Sequence, residues 1–357
     1  MAPMTDPIRR VPHITAFARA LGCGIILRTA SPVPAALRAQ LAAFIETYEA
    51  ALSRFRTDST VSAMAGAQHG GSFVFPAWSV DLFALYDRLF TATSGAIDPC
   101  VGEDLTRLGY GIELGRAFRE GGSHNSRISS SNTSPASSLS HHHGRAPALN
   151  WDDIARNAAD RPSWTTDVKQ HYDPASRALT LSTRRAVHLD FGAAGKGYLV
   201  DLLAGMLREH GLAGPLVIDA GGDLRVEGLG PDSTALRIGL EDPSDAGRAV
   251  GLAQVGSGSL CASSPSRRHW LGAHHLINAL DGKPSDNVAA SWAFVPINAQ
   301  SPTYPTAVAD GLATALFVTD PTVLRQSFTY ECALLDAGSA DRTARRSAGF
   351  PGSFFMA

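Results

Sequence analysis

Charge of one sign, paired cysteines and long apolar runs are all missing from this chain, and each absence removes a class of function. Its 357 residues carry 31 basic and 33 acidic side chains, a formal net charge of −2. A nucleic-acid binder would show a basic excess, so no nucleic-acid partner is expected. Cys23, Cys100, Cys261 and Cys332 stand far apart with no CxxC spacing, which indicates neither a zinc ribbon nor a disulfide framework. Nowhere do about 18 apolar residues follow one another, so no membrane insertion is expected. The opening stretch MAPMTDPIRRVPHITAFARALG has proline and charge where an export signal needs an apolar run of roughly 7–15 residues. A cytoplasmic protein is therefore expected. No fixed-period repeat is present. What remains is a chain that is 44% hydrophobic, long enough for one large domain or two fused lobes.

One break in composition stands out. Residues 121–144 read GGSHNSRISSSNTSPASSLSHHHG, with almost nothing to bury, so a mobile surface insertion is predicted over about residues 121–149. Its His141-His142-His143 run reads as an adventitious metal binder at most. On either side the chain is patterned. Leu37, Leu41, Phe44, Ile45, Tyr48 and Leu52 recur at helical spacing and predict a helix over Ala35–Leu52. Further helices are predicted over Ser79–Thr91, over Tyr198–His210 with Gly211 as its stop, and from about Val308 to Val318. Strands are predicted at Gly24–Arg28, Leu179–Ser182, Val187–Asp190, Leu216–Asp219, Leu224–Glu227, Leu236–Leu240 and Ala289–Pro296. Many strands with occasional helices make an α+β protein rather than a regularly alternating parallel sheet.

Four segments carry candidate chemistry. In LDFGAAGKGY, residues 189–198, an extended run passes through small residues into a helix, where glycines and helix-start amides can cradle an anion and Lys196 adds charge. The spacing is not that of a Walker A loop, and a tight turn with a solvated lysine remains an alternative. Asp219-Ala220-Gly221-Gly222-Asp223 reads as a hairpin turn flanked by two acids. In VADGLATAL, residues 308–316, Asp310 and Thr314 fall four apart on one helix face, a carboxylate and a hydroxyl that suit a hard cation. An Asp near a helix start is also an ordinary cap. In AHHLINALDGKP, residues 273–284, a histidine is a candidate general base. If the segment is a strand, at most one of His274 and His275 faces a given pocket.

Taken in order, these segments resemble the FAD:protein FMN transferases of the ApbE family, from about Leu21 to Thr319 outside the insertion. LDFGAAGKGYLVD is similar to that family's DLGGIAKGYAVD, with AGGDLRVEG following. FRTDSTVS resembles FRPDSEVS, SGAIDPCVG resembles GAFDPTVG, and ADGLATAL resembles ADALATAL. The resemblance implies a T-fold-like α+β architecture, with mixed or antiparallel sheets and packed helices around a central FAD cleft. It implies a catalytic domain over residues 21–336, between an N-terminal extension 1–20 and a tail 337–357. FAD would be the substrate and Mg²⁺ the metal, with FMN passing to a Thr or Ser hydroxyl of an acceptor flavoprotein and AMP leaving. Leu21 and Phe55 would contact the flavin. Ala96, Ile97, Asp98, Asp190, Lys196 and Ile277 would complete the FAD site. Ala193 through its carbonyl, Asp310 and Thr314 would hold the metal, and His275 would act with Asp310 in catalysis as the base for the acceptor hydroxyl. The alternatives are an Mg²⁺-dependent FAD pyrophosphatase giving FMN and AMP, or a non-catalytic FAD-binding protein. The chain departs from the family at Leu21-Gly22-Cys23, at Ser263-Ser264-Pro265 and at Asn278, where Met-Gly-Thr, Thr-Ser-Gly and Asp are usual. Ser94-Gly95-Ala96-Ile97 also lacks the Ser or Thr of the family's acceptor sites.

Overall fold

The computed structural model describes residues 6–111, 151–231, 234–270, 272–338 and 343–355. Its centre is an eight-stranded sheet. In spatial order the strands are His13–Ala20, Cys23–Thr29, Leu216–Ala220, Asp223–Glu227, Gly258–Ser263, Val288–Pro296, Glu331–Asp336 and Ala344–Arg346. Two three-stranded sheets join it, one of Gly352–Phe354, Asp245–Val255 and Leu236–Asp242, the other of Gly71–Phe75, Ala178–Thr183 and Lys169–Asp173. Every strand pair among the described residues is antiparallel. The α+β expectation holds.

Period-2 alternation lets the large sheet bury both faces. Leu216, Ile218, Ala220, Cys261, Ala293, Val295, Cys332 and Leu334 join the helices in one core. Their neighbours Val217, Leu260, Trp292, Phe294, Ala333 and Leu335 build a second core with Leu240, Ala253, Val255 and Phe350. The helix Pro305–Ala315 is buried on nearly every side, opened by a proline at its first position, where the missing N–H costs nothing. Beside it runs the helix Gly195–Glu209. At their crossing, a Cβ on Gly197 would lie 2.3 Å from the Thr306 carbonyl oxygen and 2.8 Å from Asp310 Cβ. Only glycine permits this approach.

Several expectations change. Val187–Asp190 is not a ladder strand. Its backbone ties instead to the 99–102 segment, Asp190 N donating to Pro99 O at 2.7 Å and Gly102 N to His188 O at 3.0 Å. The helix expected from Tyr198 starts at Gly195, because its first turn is made of the small residues that read as a loop. The one expected over Val308–Val318 starts at Pro305 and ends at Ala315. Residues 13–20 pair with Cys23–Thr29 in the sheet, so a boundary at 20/21 would cut a hairpin. Strands 344–346 and 352–354 likewise pair with neighbours, so residues beyond 337 are built into the fold. The expected insertion at about 121–149, with its His141–His143 run, lies outside the described residues.

Candidate active site

A cavity of about 920 Å³ opens where the two crossing helices, the sheet and the loops meet. Every residue that the resemblance assigns to the site lines it: Leu21, Phe55, Ala96, Ile97, Asp98, Asp190, Ala193, Lys196, His275, Ile277, Asp310 and Thr314; His274, Asp219 and Asp223 do not.

The Lys196 mouth is held from several directions. Asp190 Oδ1 accepts the Gly192 N–H at 2.6 Å, Tyr86 Oη accepts the Ala194 N–H at 3.2 Å, and Tyr48 Oη donates to the Gly195 carbonyl at 2.7 Å. From the neighbouring helix, Asp310 Oδ2 accepts the Gly197 N–H at 2.9 Å. Asp310 Oδ1 lies 3.4 Å from Lys196 Nζ, which also pairs with Asp223. Burial pulls the Lys196 ammonium down, but the Asp223 and Asp310 carboxylates outweigh it and hold the group charged. Burial and the neighbouring Asp223 push Asp310 well above the ordinary carboxylate range. One turn on, Thr314 Oγ1 lies 3.4 Å from both the Ala193 carbonyl oxygen and Ser263 Oγ. Asp223 Oδ1 is buried without a hydrogen-bond partner.

A second group of side chains lies on the loop after the first long helix. Ser59 caps the following short helix through Ser62 N at 3.1 Å and donates back to Ser53 O at 2.7 Å, which closes the loop. Arg54 on that loop pairs with Asp190 and donates to Tyr110 O at 2.8 Å. Its guanidinium carbon sits 4.2 Å from the Phe55 ring centroid and 4.9 Å from that of Tyr110. Tyr110 stacks on Trp270 at 5.1 Å and lies 6.3 Å from His275. Leu21 occupies a left-handed backbone conformation with φ of 51°, followed by Gly22 at 75°. Two such residues are what a tight hairpin turn demands, and Glu49 secures this one by accepting the Leu21 N–H at 2.6 Å.

The two histidines divide. His274 lies 3.4 Å from Asp286, while His275 lines the cavity with its Nδ1 buried and unpartnered. Burial, then the positive charge of Arg268, pushes His275 well below its ordinary value, so its ring is neutral at pH 7. Asn278 keeps its turn despite lacking a carboxylate, since its Oδ1 accepts the Leu280 N–H at 3.0 Å.

Asp98 and Asp190 line the cavity, but other groups of the chain already hold their carboxylates. Asp98 accepts from Cys100 N at 2.8 Å and Ser163 Oγ at 3.0 Å, and pairs with Arg161 at 3.3 Å. Sequence reasoning missed Arg54, Tyr110 and the partnership of Asp223 with Lys196. Arg54 and Asp223 stand inside or beside segments already singled out, so their positions were the available signal. Among the described residues, no three His, Cys, Asp or Glu side chains gather as a metal set.

An FAD:protein FMN transferase of Vibrio cholerae is 28% identical over 137 residues, 37% of this chain and 39% of that protein. One of Haemophilus influenzae is 29% identical over 167 residues, 45% of this chain and 46% of that protein. The chain thus aligns with less than half the length of each of these curated relatives. Among solved structures, the flavin transferase ApbE of Vibrio cholerae superposes with a TM-score of 0.69 at 18% identity, over 94% of this chain and 97% of that one. The apo flavinyl transferase ApbE of Pseudomonas stutzeri gives 0.65 at 20% identity, over 94% of each. Those structural likenesses establish a shared fold. The ApbE family matches residues 15–332, which span both crossing helices and the loops of the cavity, and this chain belongs to that family.

Proposed function

We propose that this chain is a metal-dependent flavin transferase that moves the FMN half of FAD onto a Thr or Ser hydroxyl of an acceptor protein and releases AMP. One observation carries the reading: Ala193 O, Thr314 Oγ1, Asp310 and Lys196 converge in the same cavity that Leu21 and Phe55 line. The names of the two curated relatives, each an FAD:protein FMN transferase, support it.

The residues present fit Mg²⁺. Carbonyl, hydroxyl and carboxylate oxygens are the donors a hard cation takes, and two of them already lie 3.4 Å apart. Bound by Ala193, Asp310 and Thr314, the ion would supply neutralising charge for a diphosphate. The chain's own groups do the rest. Lys196 presents an ammonium kept charged by Asp223 and Asp310. His275, neutral at pH 7, takes the proton of the acceptor hydroxyl as its oxygen bonds to the FMN phosphorus. The bond from that phosphorus to the AMP oxygen breaks, and AMP leaves with the electron pair.

The test is incubation with FAD, Mg²⁺ and candidate flavoprotein acceptors, read by in-gel flavin fluorescence and by mass. An acceptor carrying covalent FMN, with AMP released, is the expected result. Free FMN and AMP with no labelled acceptor would make the chain a pyrophosphatase, and unchanged FAD would make it a binding protein.

A further inference from the structure

Among the arginines and lysines that line the cavity, one has no anionic partner. Lys196 is matched by Asp223 and Asp310, and Arg54 by Asp190. Arg267 is matched by Glu241, its Nε donating to Oε1 at 3.1 Å. Arg268 is half-buried on the cavity wall. Among the described residues its guanidinium makes no hydrogen bond and no ion pair, although its charge reaches Lys196 and His275. Its main chain is nonetheless fixed. Arg268 N donates to Pro265 O at 3.0 Å, and Ser264 Oγ accepts the Ser266 N–H at 3.2 Å, so the 264–268 segment is a closed turn.

A partly desolvated guanidinium without an acceptor is costly, and five N–H donors in a planar fork match phosphate oxygens two at a time. Lys196 cannot by itself balance a diphosphate, since two carboxylates already claim its charge. We propose that Arg268 is a phosphate-binding residue of the cavity and grips the diphosphate of the dinucleotide substrate. The dinucleotide's identity as FAD rests on the function proposed above. Neutralising phosphate next to His275 also fits the need for charge balance where the transferred group reacts.

The full-length chain and its Arg268→Gln and Arg268→Lys variants can be titrated with FAD and with riboflavin, which has no phosphate, at low and high salt. Flavin fluorescence reports binding. In Arg268→Gln, FAD affinity is expected to fall about 10–100-fold, the scale of a charge-assisted bond. Its salt dependence should flatten, riboflavin binding should stay within about twofold, and the Lys variant should recover part of the loss. FAD affinity unchanged in Arg268→Gln overturns the inference while leaving the transferase reading intact. Equal loss of FAD and riboflavin overturns it too, because that pattern marks a shape defect. A wild-type chain that binds no FAD removes the flavin reading and this inference together.

Discussion

Arg161 joins several buried groups near the cavity. It is 6% exposed and lies 3.3 Å from Asp98 and 2.8 Å from Asp104, both of which are 2% exposed. It also donates to the Ala279 carbonyl, so it ties the Asp98 segment to the turn after Ile277. Burial lifts Asp104 to about 6 even with Arg161 beside it. Arg161→Met would leave two buried carboxylates without their cation, at an expected cost of about 3–5 kcal/mol. Urea unfolding measures it, and a loss below about 1 kcal/mol, the scale of a surface pair, would contradict the buried network. His275 makes a second prediction. Its depressed value keeps it neutral below the ordinary 6.5, so the acid limb of the transferase pH–rate profile should fall below that pH. In the unfolded chain the same ring protonates near 6.5. Unfolding then takes up a proton at this ring, so the contribution of His275 to stability declines as pH drops through that value, while Asp104 and Asp310, raised by burial, contribute in the opposite direction. At saturating Mg²⁺, which keeps Asp310 ionised, a rate profile with its acid midpoint at or above 6.5 would contradict a neutral His275. The side-chain types of the site were legible because they sit in short ordered segments. The partners of Asp98 and Asp190 were not, since Ser163 is 65 positions from Asp98 and Arg54 is 136 from Asp190. No local pattern encodes pairs so distant.

The crossing of the Gly195–Glu209 and Pro305–Ala315 helices places Asp310 against the Lys196 mouth, and one missing Cβ makes it possible. Gly197→Ala would put a methyl 2.3 Å from a backbone oxygen of the facing helix, which cannot rotate away. The helices must part, at about 1–3 kcal/mol for an overpacked contact, and metal-dependent turnover should fall with them. Gly205, on the same helix, has nothing within 4 Å of a built Cβ. There Ala should stabilise by about 0.4–1 kcal/mol. Thermal unfolding of the two variants decides the matter, and shifts of the same sign would refute the crossing as the cause. The long first helix was readable to both ends because its apolar residues recur at one spacing over Ala35–Leu52. The strand Asp245–Val255 escaped notice because its first half is exposed and carries no alternating apolar residues. Gly258–Ser263 was missed for the opposite reason: its first four residues are all buried, so no polar face marks the period.

At the scale of the molecule, the large sheet separates a helical core from a second core built with the small sheet, and the cavity is lined from both, by Tyr48 and Phe191 of the first and Leu260 and Trp292 of the second. The second core includes residues close to the end of the chain. Phe350 is 4% exposed, and Phe354 lies edge-on to Trp292 with centroids 5.9 Å apart. The backbone joins in, since Phe355 N donates to Val250 O at 2.8 Å and Gln254 N to Pro351 O at 2.7 Å. Composition gave no sign of this, because two three-residue strands, only one of them with an aromatic, read as a tail. Truncation after Ala337 removes two sheet strands and the buried Phe350 ring, whose burial alone is worth about 1.5–3 kcal/mol. It also uncovers one side of Trp292. The truncated chain should unfold at lower temperature, bind more of a hydrophobic dye and show a shifted tryptophan emission. Its flavin binding should weaken as well, because Leu260, Ala290 and Trp292 of this second core also line the cavity. A truncated chain with the full-length unfolding midpoint would show that residues beyond 337 contribute nothing to the second core.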